Sequence, residues 1–437
     1  MRRDNLIFIA LVFMLSIFAY EYRISKKYVL HPTVIVTSVF SLSIIVAGAN
    51  YRNWGDISFI TLVVLFTGIS MFCIGGYIAS FSFECKGNTC RNDQINNYKL
   101  YVYDIKNYKT ILVICFMAVV TLGDYKDVLS YTNGSVKGLL DLTTSVRMAS
   151  YRSGELVKHS SLLQQGLYVC RMLAYLYSYM ICQNLLILHR KINILYCIPV
   201  FLYLIQALLS TGRTEFIYIL YGILVIAYYL NMSQKKWVPK GETKFFKYIV
   251  AGTAIFLFVF LSISNSRVGK NVSPLKTLST YIGSPIYALN TYINNYGIHS
   301  NATHFGAETQ SLYYSLMRAY NGSSISSEAV LPPVYIGAES SMTNIYTAIR
   351  RYLHDFGLFG MCFIMLLLGW IYSKLFNSLK SHFSPLRILV YSFISYSLVE
   401  IAIEERFFSN FVTARSFYCI FYLVILYILL FERRESD

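Results

Sequence analysis

The sequence predicts an all-α polytopic integral membrane protein of about eleven transmembrane helices, with one large external loop carrying short helices. Three observations predict it. Only 14% of the 437 residues are charged and 56% are hydrophobic, whereas soluble domains average roughly 25% charged residues. Apolar runs of about 17–25 residues recur from end to end, the length a helix needs to cross a hydrocarbon core. Basic loops alternate with less basic ones along the chain, as the positive-inside bias requires. With a mean hydropathy of +0.49, this excludes a disordered chain, a collagen, a secreted disulfide scaffold and a soluble enzyme.

The spans are expected near 5–21, 30–49, 57–82, 109–130, 161–187, 192–210, 214–231, 246–264, 353–373, 385–403 and 412–431. Met1 to Tyr20 has the basic start and apolar run of a signal peptide. No small-residue cleavage site follows, so an uncleaved helix is expected there. Arg23, Lys26 and Lys27 mark the first cytoplasmic loop, and Lys86, Arg91, Lys99, Lys106 and Lys109 the next. Arg190 and Lys191, the lysines from Lys235 to Lys247, Lys374, Lys380 and Arg387, and finally Arg433 and Arg434 continue the alternation. This orientation sends Arg2 and Arg3 outside, where the other loops outvote them.

Lys+Arg exceeds Asp+Glu by 38 to 22, giving +16. The 39 Tyr and 30 Phe lie mostly in or beside apolar runs, which favours interfacial belts over nucleic-acid binding. Of nine Cys, Cys85 and Cys90 share a polar loop but form no zinc pattern. Residues 1–262 read as an N-terminal bundle with an external loop near 130–160, 263–351 as the large external loop, and 352–437 as the C-terminal spans. A connection that long is usually functional or disordered. Leu312, Leu316, Ala319 and Tyr320 keep helical spacing within it, so ordered helices lying on the membrane are expected. No internal repeat or low-complexity stretch is visible.

Arginine is the informative residue on the external side. Arg213 sits in Ser210-Thr211-Gly212-Arg213-Thr214-Glu215, a polar pinch between two apolar helices. It reads either as a loop cation snorkelling to headgroups or as an anion ligand, since a guanidinium can clamp phosphate oxygens bidentately. Arg147, Arg152, Arg267, Arg318, Arg350, Arg351, Arg406 and Arg415 share that side. Among the acids, Glu400 and Glu404 lie one helical turn apart. Asp355 is expected to open a helix, where it could complement the positive helix end or serve chemistry. His354 beside it reads as structural, and Glu215 as the partner of a neighbouring arginine.

The chain resembles the oligosaccharide repeat-unit polymerases of bacterial surface polysaccharide synthesis, the O-antigen polymerase (Wzy) family. The residues carrying the resemblance are Ser210-Thr211-Gly212-Arg213-Thr214, then Tyr281-Ile282-Gly283-Ser284-Pro285-Ile286-Tyr287, then Thr343-Asn344-Ile345-Tyr346-Thr347-Ala348 running through Asp355-Phe356-Gly357 into the next span. Their order, and their positions relative to the spans and the long loop, strengthen motifs that are loose alone.

The resemblance implies a GT-C-like membrane glycosyltransferase acting on undecaprenyl-diphosphate-linked oligosaccharide at the periplasmic face of the inner membrane. O-antigen and capsule are both open as products, and the partners implied are the lipid bilayer and a chain-length regulator, with no nucleic acid. Fixed cations in a water-poor site would stabilise the diphosphate leaving group. Arg213 is the foremost candidate for catalysis. Arg147, Arg267, Arg350, Arg351 and Arg406, with Tyr281, Asn344 and Tyr346, are expected to hold the substrate or its diphosphate. The acceptor hydroxyl needs a base within hydrogen-bond reach, for which Asp355 stands first and Glu404 second. The sequence shows no dedicated metal cluster, so chemistry without metal or cofactor is expected. A polysaccharide ligase would need the same diphosphate recognition and remains the nearest alternative. A flippase or transporter for the same lipid-linked sugar would favour charges along the middle of several spans and paired broken helices.

Overall fold

A computed structural model describes residues 5–87, 101–130, 142, 145–146, 159–210, 214–238, 274–322, 325, 327–328, 331–336 and 341–434. Arg147, Arg213, Arg267, Cys90, the span expected near 246–264 and most of the loop near 130–160 lie outside these residues. The chain divides into two compact units, each assembled from separated segments.

The first unit takes residues 1–96, 273–381 and 394–416. Its helices are α1 (Asn5–Ile24), α2 (Pro32–Ala49), the short α3 (Tyr51–Trp54) and α4 (Phe59–Gly87), whose last turn contains Cys85. From the long loop come α9 (Pro274–Tyr296), α10 (Ser311–Asn321) and the antiparallel hairpin β2 (Val334–Ile336) and β3 (Ser341–Thr343). Then follow α11 (Ala348–Ser381), the single turn α13 (Ser397–Glu400) and a π-helical turn (Phe407–Phe411). The second unit takes 97–272, 382–393 and 417–437. It contains β1 (Val102–Asp104), α5 (Asn107–Ser130), α6 (Ser161–Leu186), α7 (Ile194–Leu209), α8 (Thr214–Gln234), nearly all of α12 (Pro385–Ile394), α14 (Ala414–Leu430) from Phe417 onward, and β4 (Glu432–Arg434).

Five of the described helices are long and apolar enough to cross a membrane: Leu6–Ile24, Pro32–Ala49, Phe59–Ser82, Thr214–Gln234 and Ala348–Ser381. With its small proportion of strand, the architecture is consistent with an all-α membrane protein. It does not establish eleven spans. α7 and α14 are apolar but shorter, and α5 and α6, at 24 and 26 residues, are not among the five. The stretch expected as one span near 385–403 is broken, because turns at 395–396 and after Glu400 interrupt it.

In the first unit α4 and α11 run parallel, in backbone contact. A Cβ on Gly75 would overlap the Leu366 carbonyl, and one on Gly369 the Phe72 carbonyl. Small residues permit that approach where lipid offers no hydrophobic drive between helices. At one end Lys380 lies 4.6 Å over the Tyr28 ring, and His31 packs edge-on to Phe376 at 4.9 Å. At the other end α9 docks onto the segment joining α2 to α4. Tyr287 donates its hydroxyl to the Gly55 carbonyl at 3.0 Å, while Asn290 Oδ1 accepts from Ser58 N–H at 2.8 Å and from the Thr61 hydroxyl at 2.9 Å. The expected helix around Leu312–Tyr320 forms as α10, and it leaves Leu316 and Tyr320 exposed.

Candidate functional site

The site grows from the first turns of α11, at the end of its unit remote from Lys380. Thr347 caps this helix, its hydroxyl accepting the Arg350 N–H at 3.1 Å, and the Ala348 N–H bonds the Ile401 carbonyl at 3.0 Å. The helix breaks at Gly357, where φ is +66° and ψ −174°. Backbone of that kind suits glycine. The groups freed by the break find partners in the connection after α9. Leu358 N–H bonds the Ile298 carbonyl at 3.0 Å, Asn301 N–H the His354 carbonyl at 3.0 Å, and the Ser300 hydroxyl the His354 and Asp355 carbonyls, each at 3.1 Å. Asp355 therefore does not open a helix; it lies in the eighth position of α11, just before the kink.

That position sends Asp355 into the loop before α10. Its carboxylate accepts the Glu308 N–H at 3.1 and 3.2 Å, the Thr309 N–H at 2.9 Å and the Thr309 hydroxyl at 2.7 Å. His354 Nδ1 lies 3.1 Å from Asp355 Oδ1 and also 3.1 Å from Glu308 Oε1, so one ring N–H serves two carboxylates. Asp355 is buried and its oxygens are occupied. Glu308, also buried, receives the Arg350 guanidinium on both oxygens. Burial pushes the Glu308 carboxyl above the usual range, against the opposing pull of Arg350 and His354. Arg350 is further held between the rings of Tyr292 at 4.7 Å and Tyr346 at 4.9 Å, a cation–π sandwich.

A second group of charges comes from 400–406. Arg406 Nε donates to Glu400 at 2.7 Å, and its Nη2 pairs with Glu404 at 2.6 Å. Arg351 Nη2 stands 3.8 Å from the other Glu404 oxygen. Glu404 thus sits between two guanidinium groups with 34% of its side chain exposed. Desolvation raises its carboxyl above the usual range, and Glu400 adds to this while Arg406 and Arg351 oppose it. Glu405 turns inward instead. Fully buried, it accepts the Tyr352 hydroxyl at 3.0 Å and the N–H groups of Phe408 at 2.7 Å and Ser409 at 2.9 Å, fastening the π-helical turn.

Of the residues singled out from the sequence, Arg350, Arg351, Tyr346 and Asp355 converge here with Arg406 and Glu404. Arg350 and Arg406 have carboxylate partners, so much of their charge is compensated within the protein. Tyr281 is separate: it precedes Tyr292 by three turns of α9, roughly 16 Å along a helix axis. Asn344 is exposed on the link from β3 to α11. The Gly283-Ser284 pair is structural. A Cβ on Gly283 would stand 2.9 Å from the Ala47 nitrogen, and the Ser284 hydroxyl bonds Thr343 Oγ1 at 2.7 Å.

Sequence reasoning missed Glu308, whose partner lies 42 residues away. In the second unit it also passed over Arg171, which α6 buries against Glu215 from the first turn of α8. Tyr203 donates to the same Glu215 at 2.8 Å. An arginine inside an expected span was itself the available signal. His159 lies 3.1 Å from Asp127 and 3.6 Å from Asp124, and nothing in the local sequence announces that grouping.

Among the described residues no group of three or more His, Cys, Asp or Glu side chains is disposed to hold a metal ion. Comparison of the chain with family models, curated proteins and solved structures returns no match.

Proposed function

We propose that this protein polymerises undecaprenyl-diphosphate-linked oligosaccharide repeat units into a surface polysaccharide, by glycosyl transfer at the external face of a bacterial cytoplasmic membrane. The observation that supports this reading best is Glu404, a partly exposed carboxylate held between Arg351 and Arg406 with its proton affinity raised by burial. A general base works best with a pKa drawn toward the working pH. In this reading the membrane domain has about eleven spans in a GT-C-like arrangement, with the site facing the periplasm and α10 lying at the membrane surface.

Glu404 takes the proton of the acceptor sugar hydroxyl. The hydroxyl oxygen then bonds to the anomeric carbon of the growing glycan. The bond from that carbon to the diphosphate breaks, and its electron pair leaves on the lipid diphosphate. Arg351 supplies positive charge that the leaving group needs; Arg213, Arg147 and Arg267 remain candidates for that task on the sequence alone. Asp355 has a different task, because its hydrogen bonds are spent on Glu308 and Thr309. It fixes the loop that carries Glu308 and so positions Arg350.

The test is surface-polysaccharide length, read on gels from a deletion strain with and without the restored gene. A single repeat unit on the final acceptor, lengthening to a ladder on restoration, supports a polymerase. Full-length glycan stranded on its lipid carrier would mean a ligase, and monomeric units trapped on the cytoplasmic face a flippase. Arg213→Ala should abolish elongation with the membrane level of the protein unchanged. Arg213→Lys should also largely fail, since an ammonium lacks the planar fork.

A further inference from the structure

At one end of the second unit, β1, the start of α5, the turn after α6 and the start of α7 frame a half-open cavity of about 560 Å³. Its lining carries three cations, Lys106, Arg190 and Lys191, and the amides of Asn107, Asn184 and Asn193. Asp104 is the lining carboxylate, and its Oδ1 accepts the Ile105 N–H at 2.8 Å and the Tyr196 hydroxyl at 2.9 Å. Lys106 shares Glu432 with Lys109, at 3.1 and 2.8 Å. Arg190 and Lys191 are exposed, and among the described residues no carboxylate pairs with either.

The walls are built before any ligand arrives. Gln183 binds β1 as a strand would, accepting the Tyr103 N–H at 3.1 Å and donating to its carbonyl at 2.7 Å. The turn after α6 is closed by Arg190 N–H on the Asn184 carbonyl at 2.9 Å and Leu188 N–H on the Gln183 carbonyl at 3.1 Å, with His189 at φ +49°. That closure holds Arg190 and Lys191 at the rim.

We propose that this cavity binds a phosphate-bearing anion, a role separate from the glycosyl-transfer site. A volume in the usual range for ligand pockets, an excess of cations and surrounding amide donors fit a phosphate group and the polar moiety attached to it. The three cations lie in loops that the charge pattern assigns to the cytoplasm, where anionic lipid headgroups collect and basic pockets bind them. A soluble phosphorylated compound would meet the same chemistry.

The experiment uses full-length protein in neutral detergent, with ³¹P NMR line broadening followed during separate titrations of phosphatidylglycerol, inorganic phosphate and phosphatidylcholine. The R190Q/K191Q double variant should lose roughly tenfold or more in affinity for the anion that binds. The two single variants should fall between, which guards against a folding artefact in the double variant. K235Q/K236Q, which removes the same charge from another turn, should stay within about twofold of wild type. Binding of phosphatidylglycerol alone assigns the site to a headgroup, and binding of inorganic phosphate as well assigns it to a soluble phosphate. If neither anion binds, or if the control variant loses as much as R190Q/K191Q, the site does not exist.

Discussion

Asp355→Ala removes the acceptor from three buried donors at once: the N–H groups of Glu308 and Thr309 and the Thr309 hydroxyl. Leaving one buried donor unsatisfied costs about 1–3 kcal/mol. Three of them, partly relieved by water entering the collapsed loop, should cost about 3–5 kcal/mol. Asp355→Asn keeps one oxygen and turns an amide NH₂ toward N–H donors, so about 2–3 kcal/mol is expected. Against a total stability of roughly 5–15 kcal/mol, either change is large, and the Ala variant should melt at least roughly 5 °C lower. Thermal unfolding of the detergent-solubilised protein can be followed with a thiol-reactive dye, because Cys73, Cys170, Cys182 and Cys419 are buried and become reactive on unfolding. Elongation in the restored deletion strain is measured in parallel. An Asp355→Asn protein that melts like wild type yet fails to elongate glycan would refute the positioning role and make Asp355 a reacting group.

Glu404→Gln should leave folding intact and cut elongation by roughly 10²-fold or more, the usual contribution of a general base. Its raised pKa means the wild-type rate should fall, as pH is lowered, at a pH above the ~4.3 of an ordinary glutamate, and the Gln variant should lack that acid limb. The same shift makes this group stabilise the fold below its unfolded pKa, with the contribution lost as pH rises through the raised folded value; a melting series across pH for wild type and Glu404→Gln checks the sign. Gly357→Ala should cost about 1–2 kcal/mol, since an L-residue resists positive φ and the new Cβ would face the Ser300 nitrogen at 3.2 Å; an unchanged melting temperature would contradict the kink geometry. Arg171→Ala leaves the half-buried Glu215 without its guanidinium and should cost about 3 kcal/mol, whereas Arg171→Met with Glu215→Gln should recover most of the loss, as a double-mutant melting cycle would reveal.

What the sequence determined by itself is local. A run such as 59–82 becomes a helix because its apolar side chains have no competing arrangement that also satisfies the backbone in lipid, and the same logic brings out Leu6–Ile24, Pro32–Ala49 and Thr214–Gln234. The helical spacing of Leu312, Leu316 and Tyr320 was enough to place α10 inside the long loop. Arg351 and Glu404 were likewise legible as candidates, because charges are rare in this chain. Tertiary structure decided how the charges are spent. Arg350 meets Glu308 across 42 residues, and Arg171 belongs to α6 while its partner Glu215 belongs to α8. No helical period encodes which polar side chain of one segment faces which of another. The break between 394 and 397 and the kink at Gly357 were hidden for the same reason. An apolar stretch reads as one continuous helix until distant backbone, here 298–301 at the kink, supplies the hydrogen bonds that let it bend.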